Sequence, residues 1–274
     1  MCLFPTPLES PADSKPDAPK HKDLKKCTYV SRAVFDALIA GKSLAQVFPK
    51  EELAQKVLLH NGKILLDEKA VNVLPKDTRG DTIEKIWTIE KRPRVAVGRA
   101  ASNSQIYHTG QTVFQDGCGL WFAVRWLKPD DALAQLLADT FADLADAGLG
   151  GKRSVGFGHC RIKPHGTLEL PDAKGAHWVS LSRYLPRDDE MSALRDGVAY
   201  AVESVGGWVQ SPVKKSERRR AVRMIAEGAV LGRVPHAVPG KIVDVRPNYD
   251  GKPQLEHPVW RSGLALAVGY KETR

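Results

Sequence analysis

Cysteine is scarce. Cys2, Cys27, Cys118 and Cys160 are the only four in 274 residues, and they form neither a C-x-x-C pair nor a metal-ligand spacing. That excludes a disulfide scaffold and a zinc ribbon, and it predicts reduced, unpaired thiols of the kind found in a cytosol. Long apolar runs are missing too. No stretch approaches the roughly 18 apolar residues of a spanning helix, and the first residues lack the basic-then-apolar order of a secretory signal. A soluble cytoplasmic protein with no membrane partner is expected. Two phosphate motifs are also absent. Counting back from Gly151-Lys152, the first glycine of a Walker A loop would fall on Asp146, and Arg153 stands where its hydroxyl residue belongs. The dinucleotide fingerprint fails because Gly148 and Gly150 are followed by Arg153 at the third required position. No nucleotide cofactor and no metal are expected.

What the chain has in excess is positive charge. Lys and Arg number 41 against 32 Asp and Glu, a formal balance of +9, and the sequence pI is near 9.4. Such a surface suits a polyanionic partner. The length allows about two domains of ordinary size, and a 42% hydrophobic content can supply each with a core.

The most specific stretch is Gly148 to Gly158, which packs five glycines around Lys152-Arg153. Glycine permits positive φ and close approach to a partner, so such a loop can offer successive N–H groups to an anion. The competing reading is an ordinary helix-to-strand turn. The loop follows a helix that begins at Pro129-Asp130-Asp131 and repeats Leu133, Leu136, Leu137, Phe141 and Leu144 at helical spacing. Val155 to Ile162 after it alternates as a strand.

Elsewhere, residues 1–26 are rich in Pro and Lys and read as extended or loosely ordered chain. Short helices are expected at Ser31 to Leu38, with Ser31 as cap, and at Pro49 to Leu59. The apolar runs between Leu59 and Asp77, broken by Asn61-Gly62 and Pro75, suggest a turn-rich insertion rather than a core layer. Ile86–Ile89, Arg94–Val97, Gly110–Phe114 and Leu120–Trp126 read as strands of a hairpin excursion, with Arg99 and Tyr107 in its polar segment. Tyr107 at such a tip has the chemistry to stack on a base, or to pack. After a linker at Pro171 to Gly175, strand-like runs recur at 177–185, 198–209, 222–231 and 259–270, with a short helix at Asp188 to Arg195. Strands and helices without regular alternation argue for α+β. Lys214-Lys215 and Arg218-Arg219-Arg220 with Arg223 place six cations within ten residues, a solvated loop or a nucleic-acid contact.

Four features in order resemble a known family. They are Arg94-Val-Ala-Val-Gly-Arg99 with an aromatic downstream, Gly150-Gly-Lys-Arg-Ser154 followed by Gly156-Phe-Gly158, Gly206-Gly-Trp-Val209, and Met224-Ile-Ala-Glu-Gly228. Together they are similar to the fourth subunit of type III-A CRISPR Csm effector complexes, in the RAMP superfamily. The resemblance implies two ferredoxin-like (RRM-like) domains, 1–170 with the glycine-rich loop and a hairpin insertion, and 171–274. The chain opens on a segment that looks like the family's later Leu-Pro-x-Pro. The usual N-terminal strand-helix, about sixty residues, is therefore expected to be missing from the first domain or supplied by a partner.

By this resemblance the protein holds the 5′ end of the guide RNA (crRNA), meets the bound target RNA, and caps one end of the complex. There it touches the large polymerase-like subunit and the backbone subunit. It is not an enzyme. The RNA-binding residues expected are Arg99, Tyr107, Gly150, Gly151, Lys152, Arg153, Ser154, Arg218, Arg219 and Arg220. Trp208 is expected to be a packing anchor or partner contact rather than a stacking platform. The rival reading is a RAMP-family endoribonuclease that processes repeat RNA with His108, His159 or His177.

Overall fold

The computed structural model describes residues 1–8, 26–48, 57–76, 79–98, 103–209 and 216–271. It is a mixture of helices and strands, as expected, and it divides into two compact units. One comprises Met1–Trp121 with Pro171–Arg274, the other Phe122–Leu170.

The first unit opens on a four-stranded sheet. Strand β1 (Leu3–Pro5) pairs antiparallel with β2 (Tyr29–Ser31), β2 runs parallel to β4 (Ile64–Leu65), and β4 pairs antiparallel with β3 (Leu58–Leu59). Of the extended or loosely ordered chain expected at the start, residues 3–5 are extended as a paired strand, while residues 9–25 lie outside the described residues. The alternation of a strand turns Phe4 inward, where it is fully buried and stacks on Phe35 at 4.8 Å between ring centres. Burying that ring contributes about 1.5–3 kcal/mol.

Helix α1 (Arg32–Ile39) carries Phe35 together with Val34, Leu38 and Ile39 on its buried face. Ser31 stands at its N-cap position, yet its hydroxyl does not cap the helix. It donates instead to Asp67 Oδ2 at 2.7 Å. Asp67 in turn caps α3 (Glu68–Asn72), accepting from the amides of Lys69 and Ala70. Between them lies α2 (Leu44–Val47), closed by a capping box of Ser43 and Gln46. Of the helix expected at 49–59, residues 49–56 lie outside the described residues, and Leu58–Leu59 pair as a strand.

The stretch expected as an insertion is a core layer. His60, Asn61 and Gly62 all take left-handed φ, and this turn folds β3 onto β4. Leu59, Ile64, Leu66 and Leu74 are then buried with Ile83 and Ile86. The turn was visible in Asn-Gly; the sheet that covers it was not.

Strands β5 (Trp87–Val97) and β6 (Ser104–Phe114) form a ribbon paired along its whole length. The expected pair of short strands is one strand in each arm. Pro93 sits within β5, which a two-stranded ribbon tolerates because both of its strands are edges. Leu120–Trp126, expected as a further strand, joins no ladder among the described residues.

The rest of the first unit is built on β7 (His177–Ser180), flanked by β12 (Val230–Gly232) and β17 (Ala267–Tyr270). Trp178 lies against Tyr184 edge-on, and its indole N–H donates to the Gly232 carbonyl at 2.7 Å. A single turn at Asp188–Glu190 and helix α5 (Ser192–Arg195) fill the place of the expected short helix. Four two-strand ladders follow. They join β8 (Val202–Val205) to β11 (Val222–Ile225), β9 (Trp208–Val209) to β10 (Glu217–Arg218), β13 (Ile242–Asp244) to β16 (Trp260–Ser262), and β14 (Asn248–Tyr249) to β15 (Lys252–Pro253).

Gly228, in the turn between β11 and β12, ties this half to the start of the chain. Its carbonyl accepts from the Leu8 amide at 2.8 Å. Its φ is +86°, and a Cβ there would collide with the Thr6 carbonyl oxygen.

The second unit holds α4 (Asp131–Ala147). Asp130 caps it by accepting from the Leu133 amide at 2.9 Å, and Gly148 ends it at φ +83°. Phe141 meets Phe122 at 4.8 Å, while Leu133 and Leu136 are exposed. The strand expected at Val155–Ile162 is absent. Its first residue closes a single turn at Arg153–Val155, and residues 157–162 join no ladder among the described residues.

Candidate nucleic-acid interface

In the glycine loop of the second unit, the five glycines have three different roles. Gly148 and Gly158 are steric locks. A Cβ on Gly148 would come within 2.9 Å of the Phe157 carbonyl oxygen, and one on Gly158 would drive into Leu149, whose amide donates to the Gly158 carbonyl at 2.8 Å. Gly150 and Gly156 have open space around them but need their left-handed φ of +90° and +86°. Gly151 has neither restriction.

Lys152 is left-handed at φ 59°, uncommon for a residue with a side chain, and Arg153 and Ser154 turn the chain immediately after it. Residues 150–154 are all exposed. Among the described residues no carbonyl accepts from the amides of Gly150, Gly151, Arg153 or Ser154. The loop therefore offers backbone donors and two cations on one short exposed turn.

In the first unit, Tyr107 stands mid-strand on β6, directly opposite Arg94 on β5, so the expectation that it marks the hairpin tip is corrected. Opposed residues share a face, which puts the phenol and guanidinium side by side. The tip lies beyond Gly98, whose amide donates to Asn103 at 3.0 Å. Arg99 falls outside the described residues.

The basic run is sorted by strand alternation. Arg218 pairs with Trp208 across the β9–β10 ladder, its guanidinium 5.1 Å from the indole centre. Trp208 is 60% exposed. Among the described residues it is therefore not buried as a packing anchor, and its indole is open to a partner surface or to a base. Arg219, one residue on, points to the other face and lies over Gly207, where any Cβ would strike the guanidinium. Arg220 donates to the Asp244 carbonyl. Lys214 and Lys215 are outside the described residues.

Arg183 and Arg261 were not singled out by the sequence. They come from segments distant in sequence, Arg183 from the chain after β7 and Arg261 from β16, and both Arg219 and Arg183 bear on the charge of Arg261. No local pattern signals such a convergence.

Of the histidines considered for catalysis, His177 donates from Nε2 to the Asp196 carbonyl at 3.1 Å, and His108 faces Pro93 on the ribbon. His159 belongs to the second unit. Among the described residues no three His, Cys, Asp or Glu side chains group as for a metal ion, and no helix is long and apolar enough to cross a membrane. The four cysteines are free, and burial pushes the Cys27 thiol up to about 11.

Residues 173–270 match the CRISPR Csm4 C-terminal domain family. The chain is 27% identical over 180 residues to the CRISPR system Cms protein Csm4 of Thermococcus onnurineus (strain NA1), a match covering 65% of this chain and 53% of that protein. It is 26% identical over 185 residues to the Mycobacterium tuberculosis Csm4, covering 66% and 56%. Against the Streptococcus thermophilus Csm4 the identity is 31% over 120 residues, covering 42% and 39%. The chain thus spans about half the length of the curated relatives it matches.

Two solved structures share its fold. The crystal structure of a Csm3-Csm4 subcomplex in the type III-A CRISPR-Cas interference complex aligns with a TM-score of 0.57 at 17% identity, over 98% of this chain and 79% of that one. The crystal structure of a Csm1-Csm4 cassette in complex with cA4 aligns at 0.52, also at 17% identity, over 99% and 74%. Residues 173–270 thus carry the match to the Csm4 C-terminal domain family, and about two thirds of the chain is similar in sequence to Csm4 proteins of CRISPR systems.

Proposed function

We propose that this protein is a non-catalytic, guide-RNA-binding subunit of a type III-A CRISPR interference complex, acting in antiviral defence in the cytoplasm. It holds the 5′ end of the crRNA and caps one end of the assembly. It does so with two ferredoxin-like domains, 1–170 and 171–274, that contact the large polymerase-like subunit, the backbone subunit and the bound target RNA. Solved relatives of the same fold are complexes with Csm3 and with Csm1 and cA4, which supports the assembly part of the reading.

The observation that carries RNA binding is the exposed turn at Gly150–Ser154, where the amides of Gly150, Gly151, Arg153 and Ser154 donate to no backbone carbonyl among the described residues. Such a turn holds phosphate oxygens without reading bases, and so tracks a sugar-phosphate backbone of any sequence. Tyr107 beside Arg94 adds a stacking face next to a cation on the ribbon.

The test is titration of the full chain against labelled crRNA at two salt concentrations. Affinity should fall as salt rises, because each neutralised phosphate releases counterions. Removing the 5′ handle should weaken binding more than removing the same length from the 3′ end. Salt-independent binding, or indifference to the 5′ end, would remove guide holding from the function. RNA cleavage lost with His108→Ala would restore the endoribonuclease reading.

A further inference from the structure

We propose that Arg183, Arg219 and Arg261 together form a clamp for a single phosphodiester group of the bound RNA strand, separate from the glycine loop. This deepens the RNA-binding reading and rests on it.

The three side chains are delivered by three different segments. Arg183 precedes Tyr184 and Leu185, and their amides donate to Ile225 at 3.0 Å and Gly263 at 2.9 Å, so this segment is stitched between the end of β11 and the residue after β16. Arg261 is the central residue of β16, opposite Val243. Arg219 follows β10, anchored by its amide to the Gly207 carbonyl at 2.9 Å, with its guanidinium spread over the bare Gly207 backbone. That packing explains the second glycine of Gly206-Gly207-Trp208. A side chain at 207 would eject the arginine.

The cluster is short of negative charge. Among the described residues two carboxylates pair with it, both at Arg183: Glu203, 2.9 Å from Nη2, and Glu227, 3.5 Å from Nε. Three guanidinium charges therefore stand against two carboxylates. The shift on Arg261 agrees: burial lowers it first, then Arg219 and Arg183, while Glu227 opposes.

The hydrogen-bond count points the same way. The Nε atoms of Arg219 and Arg261 are shielded from solvent with no hydrogen-bond partner among the described residues, while that of Arg183, also shielded, has only the Glu227 carboxylate 3.5 Å away. A shielded N–H of a cation left unsatisfied is costly. Nε is also half of the fork with which arginine grips an oxyanion. A carboxylate presents its lone pairs in one plane. Three forks arriving from three segments suit the tetrahedral oxygens of a phosphate better, in a chain of net charge +9.

The test uses the full chain and a labelled single-stranded RNA in which one linkage at a time is a neutral methylphosphonate. Wild type should lose about tenfold in affinity at one or two linkages, because a charge-assisted contact disappears there. Arg261→Gln and Arg219→Lys should each weaken binding to every RNA sequence by about tenfold. Arg261→Gln should also lower the salt slope by about one. Both variants should be indifferent to the methylphosphonate that hurts wild type. Lys174→Gln, an exposed charge in a surface ion pair, is the control and should change little.

If wild type binds RNA but shows no sensitive linkage, or the variants keep wild-type affinity and the same sensitive linkage, the clamp is wrong and the RNA-binding reading stands. If wild type binds no RNA, both fall. If the variants bind RNA normally but lose association with the neighbouring subunits, the cluster holds an acidic peptide and the proposal is overturned. Where Arg261→Gln does not fold, Arg219→Lys, which keeps the charge, carries the same comparison with the wild-type scan.

Discussion

A carboxylate taken wholly out of water needs its lone pairs occupied, and Glu190 meets that demand with polar groups from two segments of chain. It is 0% exposed and accepts from the Gly240 amide at 2.9 Å, the Arg187 amide at 2.8 Å and the Tyr184 hydroxyl at 3.1 Å. Burial first, then the neighbouring Glu190, pushes the Tyr184 hydroxyl above its ordinary range, so it remains a donor at any physiological pH. Glu190→Ala should cost at least about 3 kcal/mol in chemical unfolding, because it strands several buried donors. Glu190→Gln should cost less, since the amide oxygen still accepts. His60 makes a pH-dependent counterpart. Its Nε2 accepts from the amides of Ile86 at 2.8 Å and Trp87 at 3.2 Å, a role open only to the neutral ring. Burial, then Lys63 and Lys85, hold it below the ordinary imidazole value of 6.5. The unfolded chain therefore takes up this proton more readily than the folded one. The stabilisation is full above 6.5 and is lost as pH falls through the lowered folded value. Thermal melts from neutral to mildly acidic pH should show that loss, and His60→Gln should flatten it.

At the scale of elements, the glycine loop yields the sharpest comparison. Gly151→Ala meets no neighbour and needs no special φ, so the melting temperature should not move, and any loss of RNA affinity reports a ligand that approaches the bare backbone. Gly158→Ala should unfold the loop instead, because its Cβ has nowhere to go. Replacing Lys152 and Arg153 with Ala should weaken RNA binding by roughly 1–3 kcal/mol for each charge-assisted hydrogen bond removed, and flatten the salt slope by about one per phosphate.

Helix α4 and its glycine stop were legible because periodicity and capping are local, and so was the excursion that became β5 and β6. The layer formed by β3 and β4 was not legible. Its strands have two residues each, too few to show a period, and only the sheet beside them reveals Ile64 and Leu65 as core. The reverse error occurred at Leu120–Trp126 and Val155–Ile162, where alternation was present but no ladder formed. Alternation reports a face to be covered, and says nothing of a neighbouring strand to bond with. For the candidate site, Lys152, Arg153 and the run at 218–220 stand out as clusters along the chain, whereas Arg183 and Arg261 become neighbours of Arg219 only through β11 and β16.

For the molecule as a whole, Trp208 separates RNA binding from assembly. It is exposed, held by Arg218 on the face of the β9–β10 ribbon opposite to Arg219. Trp208→Ala should thus leave the affinity for isolated RNA within about twofold while reducing co-purification with the neighbouring subunits, as expected for a large aromatic anchor at an interface. Equal RNA and assembly defects would place the indole against a base instead.

The bond between Leu8 and Gly228 bears on how the chain is made. During synthesis β1, β2 and α1 emerge well before β11 and β12, and Phe4 can find Phe35 within that interval. The Thr6–Leu8 segment must wait for a turn encoded well over half the chain later. At about 5–20 residues per second, that interval is on the order of ten seconds or more. The nascent protein thus passes through a stage with its opening sheet laid down and its clasp still open. The residue that ends this stage has no side chain: Gly228 closes the molecule by leaving room for a carbonyl that the ribosome released long before.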